Sequence, residues 1–103
     1  MLKVLIADDE EKICQLIIKL INWEEMGLKI AATASNGIEA LEQAKICKPE
    51  ILITDIRMPG IDGMELIRKV KEKLPDTEII IISGYRHFEY AQTAIRYGVR
   101  NYL

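Results

Sequence analysis

Acidic and hydroxyl side chains follow three short apolar runs of this sequence, at the point where each run ends. Asp8 and Asp9 follow the first run. Asp55 follows the third run and Ser83 follows the fourth. Carboxylates that are brought close together repel one another unless a cation lies among them, and ligands that are all oxygen suit Mg²⁺. The residue types therefore indicate a divalent-cation site, provided that the fold gathers the ends of these runs.

Asp55 is the best candidate for a nucleophile, because an apolar strand would present it rigidly while the pair Asp8 and Asp9 suits metal binding. A metal beside a carboxylate favours phosphoryl chemistry, in which the carboxylate attacks and forms an acyl phosphate. Ser83 could then hydrogen-bond a phosphoryl oxygen, and Gly84 would let its backbone N–H approach closely. Taken singly, each Asp could equally start a loop or cap a helix, and a Ser-Gly pair after a strand is commonly a turn.

Apolar runs and helical patterns alternate along the chain and predict the elements that position these side chains. The runs are rich in Val, Ile and Leu, as in strands buried on both faces of a parallel sheet, and they cover 4–7, 29–34, 51–54 and 79–82. Helices are predicted along the apolar stripe from Ile13 to Ile21, from near Ser35-Asn36-Gly37 to a point before Pro49, from about Gly63 to Pro75 and around 88–97. This order predicts an α/β fold, an open doubly wound parallel sheet whose crevice lies beyond the carboxyl ends of its strands.

Length and composition predict one domain, 1–103, whose output function lies outside it. The formal net charge of −2 leaves no excess of positive charge, so this segment is not expected to contact nucleic acid or a membrane surface. Cys14 and Cys47 stand alone and are interpreted as buried or half-buried thiols rather than as a disulfide or a metal site. The apolar start runs directly into acidic residues without a basic leader, so we expect a cytoplasmic protein.

The sequence resembles the response regulator receiver family of two-component signalling, and the likeness spans the whole chain. The matching stretches are Val-Leu-Ile-Ala-Asp-Asp-Glu at 4–10, Ile-Thr-Asp-Ile-Arg-Met-Pro-Gly-Ile-Asp-Gly at 53–63 and Ile-Ser-Gly-Tyr at 82–85. The resemblance implies a flavodoxin-like sheet with strand order 2-1-3-4-5. It also implies a phosphorylation switch, with a sensor histidine kinase as phosphodonor and a DNA-binding output domain in the parent protein that regulates transcription.

The resemblance assigns roles to individual residues around Asp55, the implied phosphoacceptor. Mg²⁺ would be the cofactor, bound directly by Asp9, partly through water by Asp8, by Asp55, and by the backbone carbonyl of Arg57. Ser83 would move toward the phosphoryl group, and Tyr102 would be the aromatic switch residue that turns inward with it. From the residues alone, the aromatic ring at the end of the chain is simply a strand residue packed under the fourth helix.

Two further features follow from the resemblance. The segments 22–27, 83–91 and 94–99 look like those of receivers fused to AraC-type helix-turn-helix DNA-binding domains. The family places a phosphate-binding lysine and a fifth helix after Tyr102, and the chain stops at Leu103, so both are expected to be absent from this chain. An apolar face without its covering helix would favour self-association, so a homodimer is possible.

Two other functions compete with the signalling switch. A haloacid-dehalogenase-like phosphohydrolase also uses an Asp nucleophile with Mg²⁺, but it needs a second Asp two residues later, where this chain has Arg57. A pseudo-receiver, which binds partners without phosphorylation, is disfavoured by the intact set of Asp8, Asp9, Asp55 and Ser83. We therefore expect no enzyme activity beyond the domain's own phosphorylation and dephosphorylation.

Overall fold

Strands and helices alternate in the order that the sequence predicts. The computed structural model describes residues 1–56, 58, 60–81 and 101–102. In chain order the elements are β1 (Leu2–Ala7), α1 (Glu11–Leu20), β2 (Leu28–Ala34), α2 (Gly37–Cys47), β3 (Ile51–Thr54), α3 (Gly63–Lys73), β4 (Glu78–Ile81) and β5 (Asn101–Tyr102). The first three predicted helices are confirmed, while the fourth, around 88–97, lies outside the described residues.

The strands form one parallel sheet in the order β2-β1-β3-β4-β5, as predicted. The direction of winding reverses beside β1, since β2 lies on one side of it and β3 on the other. In β1 and β3 the last residues, Ala7 and Thr54, are register partners, so the carboxyl ends of the two strands lie level. The topological switch point is therefore the place where the residues after β1 meet those after β3.

The sheet separates two apolar layers, which confirms the doubly wound arrangement. Leu5 and Ala7 of β1 pack in the layer that contains the buried residues of α2 and α3. Val4 and Ile6, which alternate with them, pack in the layer that contains Cys14 of α1. Burial on both faces explains why β1 reads as a continuous apolar run rather than as an alternating one.

The predicted apolar stripe of α1 is buried only in part. Cys14 is buried and Ile17 packs beside it against the sheet, whereas Leu16 is 50% exposed. Among the described residues, the second layer contains no helix besides α1 that could cover Leu16. At the far end of α1, the Trp23 indole N–H donates to the Ile18 carbonyl at 3.1 Å and so satisfies one of the last carbonyls of the helix.

A β-bulge in β2 changes which face its side chains occupy. Val4 pairs with Ile30 but Leu5 pairs with Ala32, so Ala31 is an extra residue without a partner in β1. Ile30 therefore packs in the layer of α1, while Ala32 packs in the layer of α2 and α3. The bulge carries the end of β2 to the level at which Ala34 accepts a hydrogen bond from the Asp8 N–H at 3.0 Å.

Side-chain caps fix the starts of α2 and α3. The Asn36 side chain accepts a hydrogen bond from the Glu39 N–H at 2.8 Å, and the Asp62 side chain accepts one from the Glu65 N–H at the same distance. Such caps contribute roughly 1 kcal/mol each to helix stability. Both helices consequently begin at defined residues beside the carboxyl edge of the sheet.

Candidate functional site

The backbone after β1 and β3 continues the sheet by one residue, which fixes two acidic side chains. The Asp55 N–H donates to the Ala7 carbonyl at 3.0 Å, and the Asp8 N–H donates to the Ala34 carbonyl at 3.0 Å. Asp8 and Asp55 thus leave adjacent parallel strands at the same height and at the same edge. Neither depends on a long loop for its position.

Carboxylate oxygens of Asp8, Asp9 and Asp55 lie within 4.8 Å of one another, and these three residues are called the carboxylate cluster below. Asp8 is buried, with 5% of its surface exposed, while Asp55 is half-buried and Asp9 is exposed. The cluster is therefore anchored on one side in the protein and open to solvent on the other. That is a suitable arrangement for an ion that keeps part of its water shell.

Hydrogen bonds to the backbone orient two of the three carboxylates. Asp8 Oδ1 accepts from the Glu10 N–H at 2.9 Å, and Asp55 Oδ1 accepts from the Ile56 N–H at 2.7 Å. Each donor belongs to the loop that follows the same strand, so the carboxylate and its own loop are held together. The orientation of these side chains is thus built into the strand ends.

Burial and the neighbouring charges disfavour ionisation of Asp8 when no cation is present. Burial, as the largest cause, raises the pKa of the Asp8 carboxyl group from 3.8 to about 6. The hydrogen bond from Glu10 acts in the opposite direction, and the charges of Asp55 and Asp9 raise the pKa further. A divalent cation among the carboxylates would cancel this repulsion, and the donor set is all oxygen, so the residues present fit Mg²⁺.

The loop after Asp55 is pinned at both ends. The side chains of Ile56 and Met58 are buried in the core, at 3% and 8% exposure. At the other end, the Gly63 N–H donates to the Ile56 carbonyl at 2.5 Å, and a Cβ atom on Gly63 would lie 2.7 Å from the Ile56 Cα. Only glycine permits so close a return of the chain into α3. Ile56, Met58 and Gly63 thus have fixed positions beside the site.

The family model for the response regulator receiver domain matches residues 4–103 of this chain. The chain belongs to the response regulator receiver family. The match includes both strand ends that contribute to the carboxylate cluster. It also agrees with the parallel sheet and its strand order.

Relatives of this receiver include regulators of transcription. It is 46% identical over 103 residues to an uncharacterized transcriptional regulatory protein of Bacillus subtilis, YesN. The match covers 100% of this chain and 28% of that protein. It is 39% identical over 103 residues to the transcriptional regulatory protein HptR of Staphylococcus aureus strain N315, of which it covers 40%. The receiver thus spans less than half the length of these relatives.

Solved structures share the fold of this receiver. The REC domain of AraT, a response regulator from Geobacillus stearothermophilus, superposes with a TM-score of 0.94 at 45% identity, over 99% of this chain and 79% of that one. None of the helices that the structure describes is long and apolar enough to cross a membrane.

The structure places the predicted site residues of the receiver as follows. It brings Asp8, Asp9 and Asp55 together, while the predicted roles of Arg57 and Ser83 fall outside the described residues. The backbone of Tyr102 lies in β5, where it pairs with Ile81 of β4. Its side chain is not among the described parts, so its role as a switch residue stays a prediction.

Sequence patterns did not indicate the surroundings of Asp8 on the side of α1. The Cys14 thiol donates to the Asp8 carbonyl oxygen at 3.8 Å, and burial raises the pKa of this thiol, which keeps it protonated as a donor. A cavity of about 180 Å³ lies beside Asp8 and is lined in part by Cys14, Glu11 and Glu39. A lone cysteine on an apolar helix face carries no signal of such a contact, because only the tertiary fold brings it to Asp8.

Proposed function

We propose that this receiver is the phosphorylation switch of a two-component system, which accepts a phosphoryl group on Asp55 from a sensor histidine kinase. The observation that carries the proposal is the carboxylate cluster at the carboxyl edge of the sheet, with its oxygens within 4.8 Å of one another. Membership of the receiver family supports it independently.

Asp55 is the proposed nucleophile because of its position and orientation. It follows directly after buried β3, and the Ile56 N–H holds Oδ1 at 2.7 Å. A carboxylate oxygen of Asp55 attacks phosphorus while the bond from phosphorus to the donor atom breaks, and the product is an acyl phosphate. Transfer therefore requires a carboxylate that is both ionised and fixed, and a strand end supplies such a group.

Asp8 and Asp9 are the proposed metal ligands, together with Asp55 and the backbone carbonyl of Arg57. Bound Mg²⁺ would neutralise charge on the phosphoryl oxygens. Asp8 is held by its backbone hydrogen bonds and by burial, so it offers its oxygens without needing to reorganise. The exposed side chain of Asp9 leaves the site open for ion and phosphodonor to enter.

Ser83 and Tyr102 are the proposed switch residues that carry the phosphorylation state to the surface. Ser83 would hydrogen-bond the phosphoryl group, and Tyr102 would turn inward in response.

The proposed output is an AraC-type DNA-binding domain in the parent protein, in agreement with the transcriptional regulators among the relatives. We place the protein in the cytoplasm, where kinase and DNA are accessible. The domain would catalyse only its own phosphorylation and dephosphorylation, and a homodimer is the proposed assembly.

The experiment that tests this function is incubation of the chain with a small acyl phosphate and Mg²⁺, followed by detection of hydroxylamine-labile phosphate. Asp55→Asn keeps the shape of the side chain and should abolish labelling. Asp62→Asn is the matched control, because Asn caps a helix as well as Asp and the residue lies in the same loop. Labelling of the Asp55→Asn variant to the wild-type level would refute the proposal.

A further inference from the structure

The start of α2 packs directly against the loop that follows Asp55. Gly37, the first residue of α2, approaches Ile61 so closely that a Cβ atom would lie 2.5 Å from the Ile61 Cγ1 and 2.8 Å from its carbonyl carbon. Real Cβ atoms essentially never come within 3.0 Å of another heavy atom. Glycine at this position is therefore what allows the helix to touch the loop backbone.

A second contact joins α2 to the same loop, and here the glycine belongs to the loop while the facing side chain belongs to the helix. Gly60 adopts a φ of +86°, and a Cβ atom there would lie 3.0 Å from the Ile38 Cδ1 and 3.1 Å from its Cγ1. Ile38 lies over this turn although 54% of its surface is exposed. Gly37, Ile38, Gly60 and Ile61 form the interlock, in which a glycine of each segment faces an isoleucine of the other.

The interlock connects to both halves of the carboxylate cluster. On the loop side, the chain runs from Asp55 to Gly63, which returns against the backbone of Asp55 and Ile56. On the helix side, Ala34 lies just before α2 and accepts the hydrogen bond from the Asp8 N–H. One short stretch, 34–38, therefore contacts the strand end that carries Asp8 and the loop that follows Asp55.

Helix α2 is held firmly by its N-cap and by core packing, so its contact can fix the position of the loop. The Asn36 cap closes the first turn, and Ala40 and Ala44 are buried in the core at 0% and 1% exposure. A capped helix with a buried small-residue face has little freedom to slide over the sheet, because core packing resists displacement. The loop touches α2 through Gly60 and Ile61, so this contact helps to set the height of the loop above the sheet, together with the buried side chains of Ile56 and Met58.

We propose that Gly37 and Ile38 are positioning residues that set the geometry of the carboxylate cluster through the loop 56–62, without touching the ion or the phosphoryl group. The inference rests on the proposed function, since it concerns the same site. It assigns the exposed Ile38 side chain a purpose that surface exposure alone would not suggest. Shortening Ile38 should loosen the loop and weaken Mg²⁺ binding, while the fold itself stays intact.

The test compares Ile38→Ala with Ile46→Ala in the 103-residue chain. Ile46 is the matched control because it lies on the same helix, is 75% exposed and lies at the opposite end of α2 from the loop. Mg²⁺ affinity is measured by titration calorimetry, and amide hydrogen exchange of the loop 56–62 is measured in chelator. We expect Ile38→Ala to weaken Mg²⁺ binding about tenfold and to speed exchange in the loop. Ile46→Ala should change neither.

Two more variants sharpen the result. Ile38→Val loses the Cδ1 that faces Gly60 but keeps the branched γ carbons, so it should recover part of the Mg²⁺ affinity that Ile38→Ala loses, which a general loss of stability would not explain. Gly37→Ala should weaken binding by at least about tenfold. If that variant fails to fold, the comparison of Ile38→Ala with Ile46→Ala still decides the matter, because both positions are exposed.

The outcomes separate this inference from the proposed function. Suppose that the wild type binds Mg²⁺ and takes up phosphate on Asp55, but Ile38→Ala matches Ile46→Ala in Mg²⁺ affinity and in hydrogen exchange of the loop. The positioning role is then overturned, while the proposed function stands. If the wild type binds no Mg²⁺ and takes up no phosphate, both are overturned. A loss of affinity confined to Ile38→Ala and Gly37→Ala, with partial recovery in Ile38→Val, supports the inference.

Discussion

Replacing Asp8 by Asn removes a carboxylate whose ionisation opposes folding when no cation is present. The variant keeps the shape of the side chain and an oxygen that can accept the hydrogen bond from the Glu10 N–H, which is 2.9 Å long in the wild type. The substitution therefore changes little besides the charge. Burial, with the charges of Asp55 and Asp9, raises the pKa of Asp8 to about 6. We therefore expect Asp8→Asn to be more stable than the wild type in chelator at neutral pH.

The magnitude and the pH window follow from the pKa of Asp8. A group whose pKa is higher in the folded chain than in the unfolded chain binds more protons when folded. Its contribution to stability therefore falls as pH rises from the unfolded pKa to the folded pKa. For Asp8 the loss begins near pH 3.8 and is complete above about 6. A rise of this size corresponds to about 3 kcal/mol, which screening by water at the open side reduces to about 1–2 kcal/mol. The Tm of Asp8→Asn should then exceed that of the wild type by roughly 5–15 °C.

The assay is urea unfolding of both proteins from about pH 4 to about pH 8, in chelator and with saturating Mg²⁺. The lowered pKa values of Glu50 and Glu65 affect both proteins equally and cancel in the difference. The advantage of Asp8→Asn should grow with pH in chelator and disappear with Mg²⁺, which binds the wild type better. Asp76→Asn, an exposed change beyond the opposite edge of the sheet, is the control. Equal stability at neutral pH in chelator, or a difference independent of pH, would refute the electrostatic reasoning.

Two other variants of the same site have defined expected outcomes. Asp9→Ala should lose Mg²⁺ affinity, measured by calorimetry, yet melt higher in chelator; unchanged affinity would contradict its role as a ligand. Gly63→Ala should lower the free energy of unfolding by roughly 3 kcal/mol in denaturant melts, because its Cβ would collide with the backbone of Asp55; a loss below about 1 kcal/mol would show that the loop yields easily.

The architecture and the acidic centre could be predicted from the sequence because both depend on local patterns. Apolar runs separated by helical stripes leave only a parallel sheet with crossovers, and that topology places everything that follows a strand at one edge. Asp8, Asp9 and Asp55 then meet for topological reasons alone, as the structure bears out. The caps at Asn36 and Asp62 are equally local, since each bond spans three residues.

Other features depend on contacts that no local pattern reports. Leu28, Ile30, Ala32 and Ala34 alternate as if they shared one face, but the unpaired Ala31 moves the last two to the other face. Gly37 reads in the sequence as a residue near a helix cap, and only its distance from Ile61 in the folded chain shows that a side chain would not fit. Long-range packing of this kind is set by the whole core, so the interlock could not be derived from spacing.

Mass spectrometric mapping of the hydroxylamine-labile phosphate shows whether Asp55 is the phosphoacceptor and whether its phosphorylation needs Mg²⁺. The chain is treated with a small acyl phosphate, with Mg²⁺ and with chelator in parallel, and the modified peptide is sequenced. We expect phosphate on Asp55 that forms with Mg²⁺, is greatly reduced in chelator and disappears in Asp55→Asn. Phosphate on another residue, or labelling of Asp55 that is equally fast in chelator, would contradict it.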